Sequence, residues 1–177
     1  MEGLGGKLLL ANGSLFGDVF RQTVILIADH DGDGALGFVV NRPTEMIVSH
    51  EGPVAALGQL DETVFSGGPV QQGLLSVIAE FETPELAARV IFGTVGFLDL
   101  EATSPTGVKR ARVFAGYSGW GPGQLDGEIE EGSWVVTEAT SGLIFDVPPD
   151  NVWQEALKRM GGEYALMATM PYDPGMN

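Results

Sequence analysis

The sequence predicts a single α+β domain that contains more strand than helix. A chain of 177 residues, 44% of them hydrophobic, has the size and composition to fold around one full core. Its 26 glycines fall between short apolar runs, which indicates many short elements joined by turns. Only one segment, near the C-terminus, shows the clear spacing of an amphipathic helix.

The segment from Thr23 to Pro43 predicts a buried β-hairpin around which the other elements are arranged. Residues 24–28 form an unbroken apolar run with β-branched members, which is typical of a strand covered on both faces. Residues 29–34 are rich in Asp and Gly, which tolerate the left-handed conformations of a tight turn. Residues 37–40 resume the apolar pattern, and Pro43 should end the strand because it lacks an N–H group.

The other elements are short and alternate with turns. Further strands are predicted at residues 7–11, 63–66, 73–81, 95–100, 111–117, 133–137 and 164–170. Helical segments are predicted at residues 15–22, 53–59, 125–131 and 151–160. The last of these has one apolar face, with Asp150 placed to cap it and Glu155 placed to pair with Arg159. Residues 83–92 begin like a helix at Thr83 but continue with a good strand pattern, so both interpretations stay open.

The charge and composition of the chain exclude some classes of partner. With 9 basic and 24 acidic residues, the formal net charge is −15, which repels nucleic-acid phosphates and anionic lipid surfaces. The basic cluster of Lys109, Arg110 and Arg112 is therefore interpreted as a solvated strand edge rather than a DNA-binding surface. The absence of cysteine excludes disulfides and thiol chemistry. No apolar run is long enough to span a bilayer and no secretory leader is recognised, so a cytoplasmic location without a membrane partner is expected.

The turn of the hairpin resembles part of a calcium-binding loop. Residues 29–34 match the opening D-x-D-x-D-G of an EF-hand, but the twelfth position, which needs a bidentate Glu, is Val40, and strands flank the loop. An acidic hairpin turn is therefore favoured. The two histidines, His30 and His50, have no third ligand clustered with them, so no metal site is predicted. His30 is a candidate acid or base, although a structural hydrogen bond is the favoured role.

A glycine-rich segment at residues 116–123 is the second unusual feature. Its opening Gly-Tyr-Ser-Gly-Trp departs from the hydrolase motif G-x-S-x-G, because Trp120 takes the place of the final glycine. Its glycines could present backbone amides to an anion, but a turn in which Tyr117 and Trp120 pack on their neighbours is favoured. No dinucleotide-binding fingerprint or P-loop is present, so no cofactor is predicted.

A candidate ligand site lies where the hairpin is expected to meet two glycine-rich loops. Arg42 is the only basic residue between Gln22 and Ala88, and it follows a strand that should be buried. A buried arginine needs a carboxylate, backbone carbonyls or a bound anion, so Arg42 is either a structural tie or part of an anion site. Glycines allow close backbone approach there, and aromatic rings can wall a pocket, although His30 stands at the opposite end of the hairpin. The candidate binding residues are Asn41, Arg42, Gly67, Gly68, Tyr117, Trp120 and His30.

Four stretches of the sequence occur together in a recognisable order. They are KLLLANGSLFGDVFRQTVILIADHDGDGALGFVVNRP, VFSGGPV, AGYSGWGPGQLDGEIEEGSWVV and IFDVPPDNVWQEALKRMGG. In this combination the chain resembles the AlgH/YqgE family of bacterial proteins over nearly its whole length. It departs from the family pattern at Gly13, where proline is frequent, and at residues 71–78 after Gly-Gly-Pro-Val, where an Arg-Gly and a His are frequent. A role that depends on that His cannot be transferred to this chain.

The resemblance implies an α+β fold of one domain over residues 1–177, in which a bifurcated mixed sheet curls into a pseudo-barrel. It implies little about activity; one branch of the family carries the label of a transcriptional regulator, which the acidic composition does not support through direct DNA contact. We therefore predict a binding or regulatory protein, with a small anionic ligand or a protein as its partner. The alternative is an enzyme that acts on a small anionic metabolite in a pocket lined by Arg42, Tyr117 and Trp120.

Overall fold

In the computed structural model, which describes residues 3–12, 22–48, 60–101 and 105–169, ten strands form one connected sheet. The strands are β1 (Lys7–Ala11), β2 (Val24–Asp31), β3 (Gly34–Val39), β4 (Pro43–Ile47), β5 (Leu60–Ser66), β6 (Val70–Phe81), β7 (Arg89–Phe92), β8 (Val95–Phe97), β9 (Val108–Trp120) and β10 (Trp134–Glu138). The helices of the described residues are α1 (Gln124–Glu130), α2 (Val152–Met160) and α3 (Gly162–Met167), with 3-10 turns at Pro84–Leu86 and Pro149–Asn151 and a π-helical turn at Gly142–Asp146. None of these helices is long and apolar enough to cross a membrane.

The sheet is organised around β9, its longest strand. The order of strands is β10-β1-β2-β3-β9-β6-β8-β7, with β5 joined to β9 and β4 joined to β5. β6 runs antiparallel to residues 108–117 of β9, whereas β5 runs parallel to residues 111–115 and β3 runs antiparallel to residues 118–120. Because β5 and β3 pair with successive parts of β9, the sheet divides into two branches there. The predicted α+β fold with a bifurcated, mixed sheet is confirmed, although β9 rather than the β2–β3 hairpin is its centre.

The sheet curls until its β7 edge approaches β2. The Arg89 side chain of β7 forms an ion pair of 2.6 Å with Asp29 of β2. A Cβ atom at Gly6 would lie 3.0 Å from the Ile91 carbonyl oxygen, so the chain before β1 packs directly on β7. No hydrogen-bonded ladder joins β7 to β2 within the described ranges. The sheet is therefore a pseudo-barrel that does not close.

Alternating side chains bury both faces of the sheet where β1 and β2 run. On β1, Leu8 belongs to the core beneath α2, whereas the next residue, Leu9, belongs to the core beneath α1. Trp153 of α2 and Leu125 of α1 are each almost fully buried and hold their helices on the sheet. We call these two sides the α2 face and the α1 face.

A bend at Gly116 exchanges the two faces along β9. Gly116 has a positive φ of 72°, and the register between β6 and β9 shifts between Ala115 and Tyr117. Before the bend, Phe114 belongs to the core of the α2 face. With strict alternation Tyr117 would face away from that core, yet it packs on the same side as Phe114, and Trp120 lies on the α1 face.

The strand predicted at residues 164–170 is wrong, because these residues begin within helix α3. Tyr164, Met167 and Ala168 pack against the core of the α2 face, whereas Leu166 is exposed. A spacing of three and four residues is that of one helical stripe, so the apolar run has helical rather than strand periodicity. The run is long enough for either structure, and packing against the α2 face decides between them.

The other predicted elements agree with the structure to within a few residues. Residues 83–92 combine both interpretations, since a 3-10 turn is followed by β7. The strand predicted at residues 95–100 is shorter and ends with β8 at Phe97. The helical segments predicted at residues 15–22 and 53–59 lie outside the described residues, apart from Gln22.

The C-terminal helix α2 forms as predicted, but its cap differs. Asn151 rather than Asp150 occupies the N-cap position, and no side-chain hydrogen bond caps the helix. Residue 150 lies inside the 3-10 turn that precedes the helix, so the N-cap position falls on the last residue of that turn. The expected pair on the exposed side is present, with 3.3 Å between Arg159 Nε and Glu155 Oε1.

The basic cluster of β9 is partly buried, which corrects its interpretation as a solvated strand edge. Of its three members only Lys109 is exposed. Arg112 is 8% exposed, and its guanidinium donates hydrogen bonds to the carbonyl oxygens of Ile144 and Phe145. Those carbonyls belong to the π-helical turn, so Arg112 ties that turn to β9. Arg112 is thus a buried arginine, whereas Arg42, which the sequence predicts to follow a buried strand, is half-buried.

Gly116→Ala is expected to lower the free energy of unfolding by roughly 3 kcal/mol or more. The left-handed φ disfavours an L side chain, and a Cβ atom at this position would lie 2.6 Å from the Gly68 carbonyl oxygen. Gly119→Ala on the same strand is the matched control, because its Cβ would meet nothing nearer than 3.6 Å. The control should change stability by less than about 1 kcal/mol. Urea denaturation measures both effects, and equal losses would contradict the importance of the bend.

Candidate functional site

Asn41 and Arg42, which follow β3, are both hydrogen-bonded to the chain at the start of β2 or just before it. The buried Asn41 side chain accepts a hydrogen bond from the Val24 N–H at 3.0 Å and donates one to the Gln22 carbonyl oxygen at 2.8 Å. Arg42 is half-buried, and its guanidinium donates to the Thr23 hydroxyl at 3.1 Å and to the Asn41 carbonyl oxygen at 3.4 Å. These contacts are those of a structural tie. An anion at Arg42 stays a prediction.

Gly67 and Gly68 lie against the bend of β9, at the close backbone approach that the sequence predicts. A Cβ atom at Gly67 would lie 2.4 Å from the Gly116 carbonyl oxygen. One at Gly68 would lie 2.2 Å from the Tyr117 carbonyl carbon. The Ser118 hydroxyl donates a hydrogen bond to the Gly67 carbonyl oxygen at 3.1 Å. The two backbones are therefore in direct contact, and the space between them admits no side chain.

The seven candidate residues do not form one pocket. His30 and Trp120 both pair with Ala35, at the start of β3. Arg42 follows the other end of that strand, roughly 20 Å away at the rise of an extended chain. Tyr117 lies on the α2 face and Trp120 on the α1 face. A single pocket lined by Arg42, Tyr117 and Trp120 is therefore not formed, because the bend of β9 separates the two aromatic rings.

His30 has a hydrogen-bonding role. Its side chain is 5% exposed, its Nδ1 accepts a hydrogen bond from the Leu4 N–H at 3.1 Å, and its Nε2 lies 3.3 Å from Asp126 Oδ1. Because Nδ1 is an acceptor, the neutral ring carries its proton on Nε2, toward the carboxylate. The hydrogen bond from the Leu4 N–H to Nδ1 is the structural bond predicted for His30, whereas Asp126 Oδ1 is close to Nε2 without a well-formed hydrogen bond among the described residues.

The acidic turn between β2 and β3 is stabilised from within. Asp31 Oδ1 accepts a hydrogen bond from the Asp33 N–H at 2.8 Å, which is the local bond that favours aspartate in turns. Asp29 is engaged by Arg89 of β7. Within the part of the chain that the structure describes, no three His, Asp or Glu side chains are placed to hold a metal ion.

A cavity of about 370 Å³ lies on the α1 face, between the end of β9, helix α1 and the start of β10. Trp120 and Trp134 form its aromatic walls, and each is less than one tenth exposed. Its other described lining residues are Ile25, Pro69, Val70, Ser118, Gly119, Gln124, Glu128, Glu131 and Ser133. We call it the double-tryptophan cavity.

One continuous segment, residues 118–134, builds most of the cavity wall. After β9, the Gly121 N–H donates to the Gln124 side chain at 3.0 Å, which fixes the start of α1. Leu125 is 1% exposed and docks the helix on the sheet. Gly132, with a φ of 81°, then turns the chain into β10. The polar side of α1 is thereby placed beside both tryptophans.

Glu128 is the charged centre of the double-tryptophan cavity. Its Oε2 accepts a hydrogen bond from the Trp120 Nε1–H at 2.9 Å. Trp134 Nε1 is buried and lies near the same carboxylate, although no well-formed hydrogen bond to it exists among the described residues. Burial raises the pKa of Glu128, the two indole N–H groups oppose the rise because they favour the carboxylate, and the charge of Glu131 adds to it. The net pKa is above the ordinary value, so the carboxylate charge is incompletely compensated.

The site residues predicted from the sequence include Trp120 but neither Glu128 nor Trp134. Gln124, Glu128 and Glu131 are spaced four and three residues apart, which places them on one side of a helix. A polar stripe on a short helix with a tryptophan before it and another after it is the signal that could have indicated the site.

The family of the chain follows from its similarity to known proteins. Residues 8–165 match the family described as AlgH-like (DUF179). The chain belongs to the AlgH-like family. This AlgH-like chain is 40% identical over 188 residues to a UPF0301 protein of Streptomyces avermitilis, with 100% of this chain and 97% of the relative covered. It is 37% identical to UPF0301 protein CT0663 of Chlorobaculum tepidum, with 97% of this chain and 95% of the relative covered.

Two solved structures share the fold of this AlgH-like chain. The crystal structure of protein DIP2367 from Corynebacterium diphtheriae has a TM-score of 0.84 and 26% identity, with 96% of this chain and 94% of that chain covered. The solution structure of the AlgH protein from Pseudomonas aeruginosa has a TM-score of 0.70 and 24% identity, with 95% and 94% covered, which shows the fold alone. The resemblance predicted from the sequence is confirmed. Most of the cavity wall lies within residues 115–136, one of the stretches on which that resemblance rests.

Glu128→Gln is expected to change how stability depends on pH. Between the ordinary pKa of a glutamate and the raised pKa of Glu128, the folded state holds more protons than the unfolded state, so stability falls as pH rises. The variant lacks this titration. Its free energy of unfolding relative to the parent should therefore increase as pH rises from about 4, close to the ordinary glutamate pKa. Urea denaturation at a series of pH values measures the difference.

Glu130→Gln is the matched control, because Glu130 is exposed on the same helix and does not line the cavity. Urea denaturation of this variant over the same pH range shows the effect of removing an exposed carboxylate from the same helix. If the relative stability of Glu128→Gln instead decreased with pH, the surroundings of Glu128 would favour the carboxylate, contrary to the raised pKa.

Proposed function

We propose that this protein binds a small molecule in the double-tryptophan cavity and that ligand binding is the basis of its cellular role. The observation that carries the proposal is the half-buried Glu128 carboxylate, bonded to the Trp120 indole at 2.9 Å in the wall of a cavity of about 370 Å³. Ligand sites are typically cavities of roughly 300–1,000 Å³ with apolar and aromatic walls and a few placed polar groups. Two tryptophans around a central carboxyl group fit that description.

The energetics of Glu128 support a functional carboxyl group. Burying a carboxylate with incomplete compensation destabilises the folded state. A contribution to stability therefore does not explain the position of Glu128, whereas a role in binding or catalysis does. A carboxyl group whose pKa is raised by burial and that lines a cavity is typical of binding and catalytic sites. The buried Trp134 Nε1, without a well-formed hydrogen bond among the described residues, is a second polar group whose pairing is incomplete at the same place.

An enzyme is the second candidate. A carboxyl group with a raised pKa keeps its proton to a higher pH and can act as a general acid, and the raised pKa of Glu128 is the observation that favours catalysis. The Ser118 hydroxyl in the cavity wall donates to the Gly67 carbonyl oxygen rather than to a base, which disfavours a serine nucleophile. Turnover of a cavity ligand by the parent, and its loss in Glu128→Gln, would establish the enzyme.

A regulatory role would act through the bound ligand or a protein partner rather than through direct contact with DNA. The net charge of −15 repels nucleic-acid phosphates, on which the affinity of most DNA-binding proteins depends. We propose that this role is exercised in the cytoplasm. An anion bound at Arg42 is a separate proposal, which the same ligand screen tests through Arg42→Ala.

A thermal-shift screen of the purified protein against amines, neutral metabolites and anions is expected to find a ligand that raises the Tm, because a ligand of the folded state stabilises it. That ligand should lose its effect in Trp134→Leu, which removes one aromatic wall. Trp153→Phe is the control, because Trp153 lies on the α2 face, where its Nε1 donates to the Ala11 carbonyl oxygen at 2.8 Å.

A ligand that stabilised Trp134→Leu as strongly as the parent would place the site elsewhere. The absence of any ligand across the panel would also contradict the proposal. Circular dichroism of each variant shows whether it is folded before its ligand response is compared.

A further inference from the structure

We propose that the ligand of the double-tryptophan cavity is a small organic cation, whose alkylammonium or quaternary ammonium group contacts the tryptophan rings and pairs with Glu128. This inference rests on the proposed function and specifies the chemical class of its ligand. The charge of the cavity wall, its aromatic rings, the incomplete compensation of Glu128 and the charge of the whole protein each favour a cation.

The charged groups of the cavity wall are all acidic. Glu128 and Glu131 contribute carboxyl groups, and no lysine, arginine or histidine is found among the described lining residues. An anion in this cavity would meet two like charges without a basic partner. A cation would form an ion pair in partly desolvated surroundings, where Coulomb attraction is stronger than in bulk water.

Trp120 and Trp134 supply the aromatic part of a cation site. Tryptophan gives the strongest cation–π interaction of the aromatic side chains, and aromatic walls are the usual means of recognising a quaternary ammonium group. Burial fixes both side chains, and the hydrogen bond to Glu128 also fixes the Trp120 indole. A ligand would therefore meet rings that are already ordered, which lowers the entropic cost of binding.

The protein gives Glu128 one well-formed hydrogen bond, from the Trp120 indole, but no counter-charge within the described ranges. Burial raises the pKa of Glu128 in spite of the two indole N–H groups, which means that those donors do not fully stabilise the carboxylate. An ammonium group at van der Waals distance would supply the missing positive charge, whereas a neutral ligand of the same shape would not.

The charge of the whole protein acts in the same direction. With 24 acidic and 9 basic residues, the chain attracts cations and repels anions at long range. Salt screens this attraction over about 10 Å at 0.1 M ionic strength. The affinity of a cationic ligand should therefore fall with added salt, while that of a neutral ligand of the same shape should change little.

Choline and butylamine are the probes, and the neutral alcohol in which a carbon atom replaces the nitrogen of choline is the isosteric control. Titration calorimetry on the full chain at low ionic strength is expected to show that choline binds roughly tenfold more tightly than this alcohol, as cation–π contacts and one ion pair would give. Acetate, a small anion, is expected to show no binding.

Two variants distinguish the effect of the Glu128 carboxyl group on choline affinity from the effect of the net charge of the protein. Glu128→Gln keeps the shape of the side chain but removes the ion pair, so it should reduce the affinity for choline roughly fivefold, while the cation–π contacts keep that affinity above that of the neutral alcohol. Glu130→Gln makes the same change in net charge on the same helix, outside the cavity wall, and should leave the affinity within about twofold because exposed charges are screened. The comparison of choline with its neutral isostere needs only the parent protein, so it holds even if a variant is unstable.

Equal binding of choline and the neutral alcohol, or equal losses of affinity in the two variants, would overturn the cation assignment. A neutral or anionic compound that bound the cavity while choline and butylamine did not would also overturn it, but would leave the proposed small-molecule site in place. If neither these probes nor any compound of the screen bound, the assignment and the proposed function would both fail.

Discussion

The bend of β9 at Gly116 is the constraint on which the arrangement of both faces of the sheet depends. The backbone there has a φ of 72° and lies against Gly68, so neither position has room for a side chain. The bend lets one strand pair with β5 before it and with β3 after it, which divides the sheet into two branches. It also shifts the alternation of side chains by one residue, which directs Tyr117 to the α2 face and Trp120 to the α1 face.

The double-tryptophan cavity follows from that shift. With unbroken alternation from Phe114, Trp120 would point into the core of the α2 face. On the α1 face its indole instead reaches helix α1, where Glu128 accepts its N–H at 2.9 Å. The same helix leads directly to Trp134, so a short segment supplies both aromatic walls and the carboxyl group between them in sequence. One local feature of the backbone thus determines which aromatic ring a ligand would meet.

Local periodicity predicts the strands and helices of this fold better than it predicts on which side of the sheet a given side chain lies. Strands β1 to β3 and helix α2 depend on burial patterns within ten residues or fewer, which the sequence displays directly. The faces of Tyr117 and Trp120 depend on a bulge, which leaves little mark in the apolar pattern. Arg42 stands out in the sequence because no other lysine or arginine is near it, yet Arg42 is half-buried, whereas Arg112, within a basic cluster, is buried. Its carbonyl partners belong to a turn more than thirty residues away, a contact that no local pattern reveals.

A ligand bound in the double-tryptophan cavity would contact Trp120 and Trp134 but not Trp153, whose indole is bonded to the Ala11 carbonyl oxygen on the α2 face. The chain has 3 tryptophans, so the three indole N–H signals of a nitrogen–proton correlation spectrum report two cavity walls and one internal control. Replacing each tryptophan by phenylalanine assigns the signals. On titration with choline, we expect the signals of Trp120 and Trp134 to shift together while that of Trp153 stays in place. A shift of the Trp153 signal alone, or binding of choline that moves neither cavity signal, would contradict the assignment of the site.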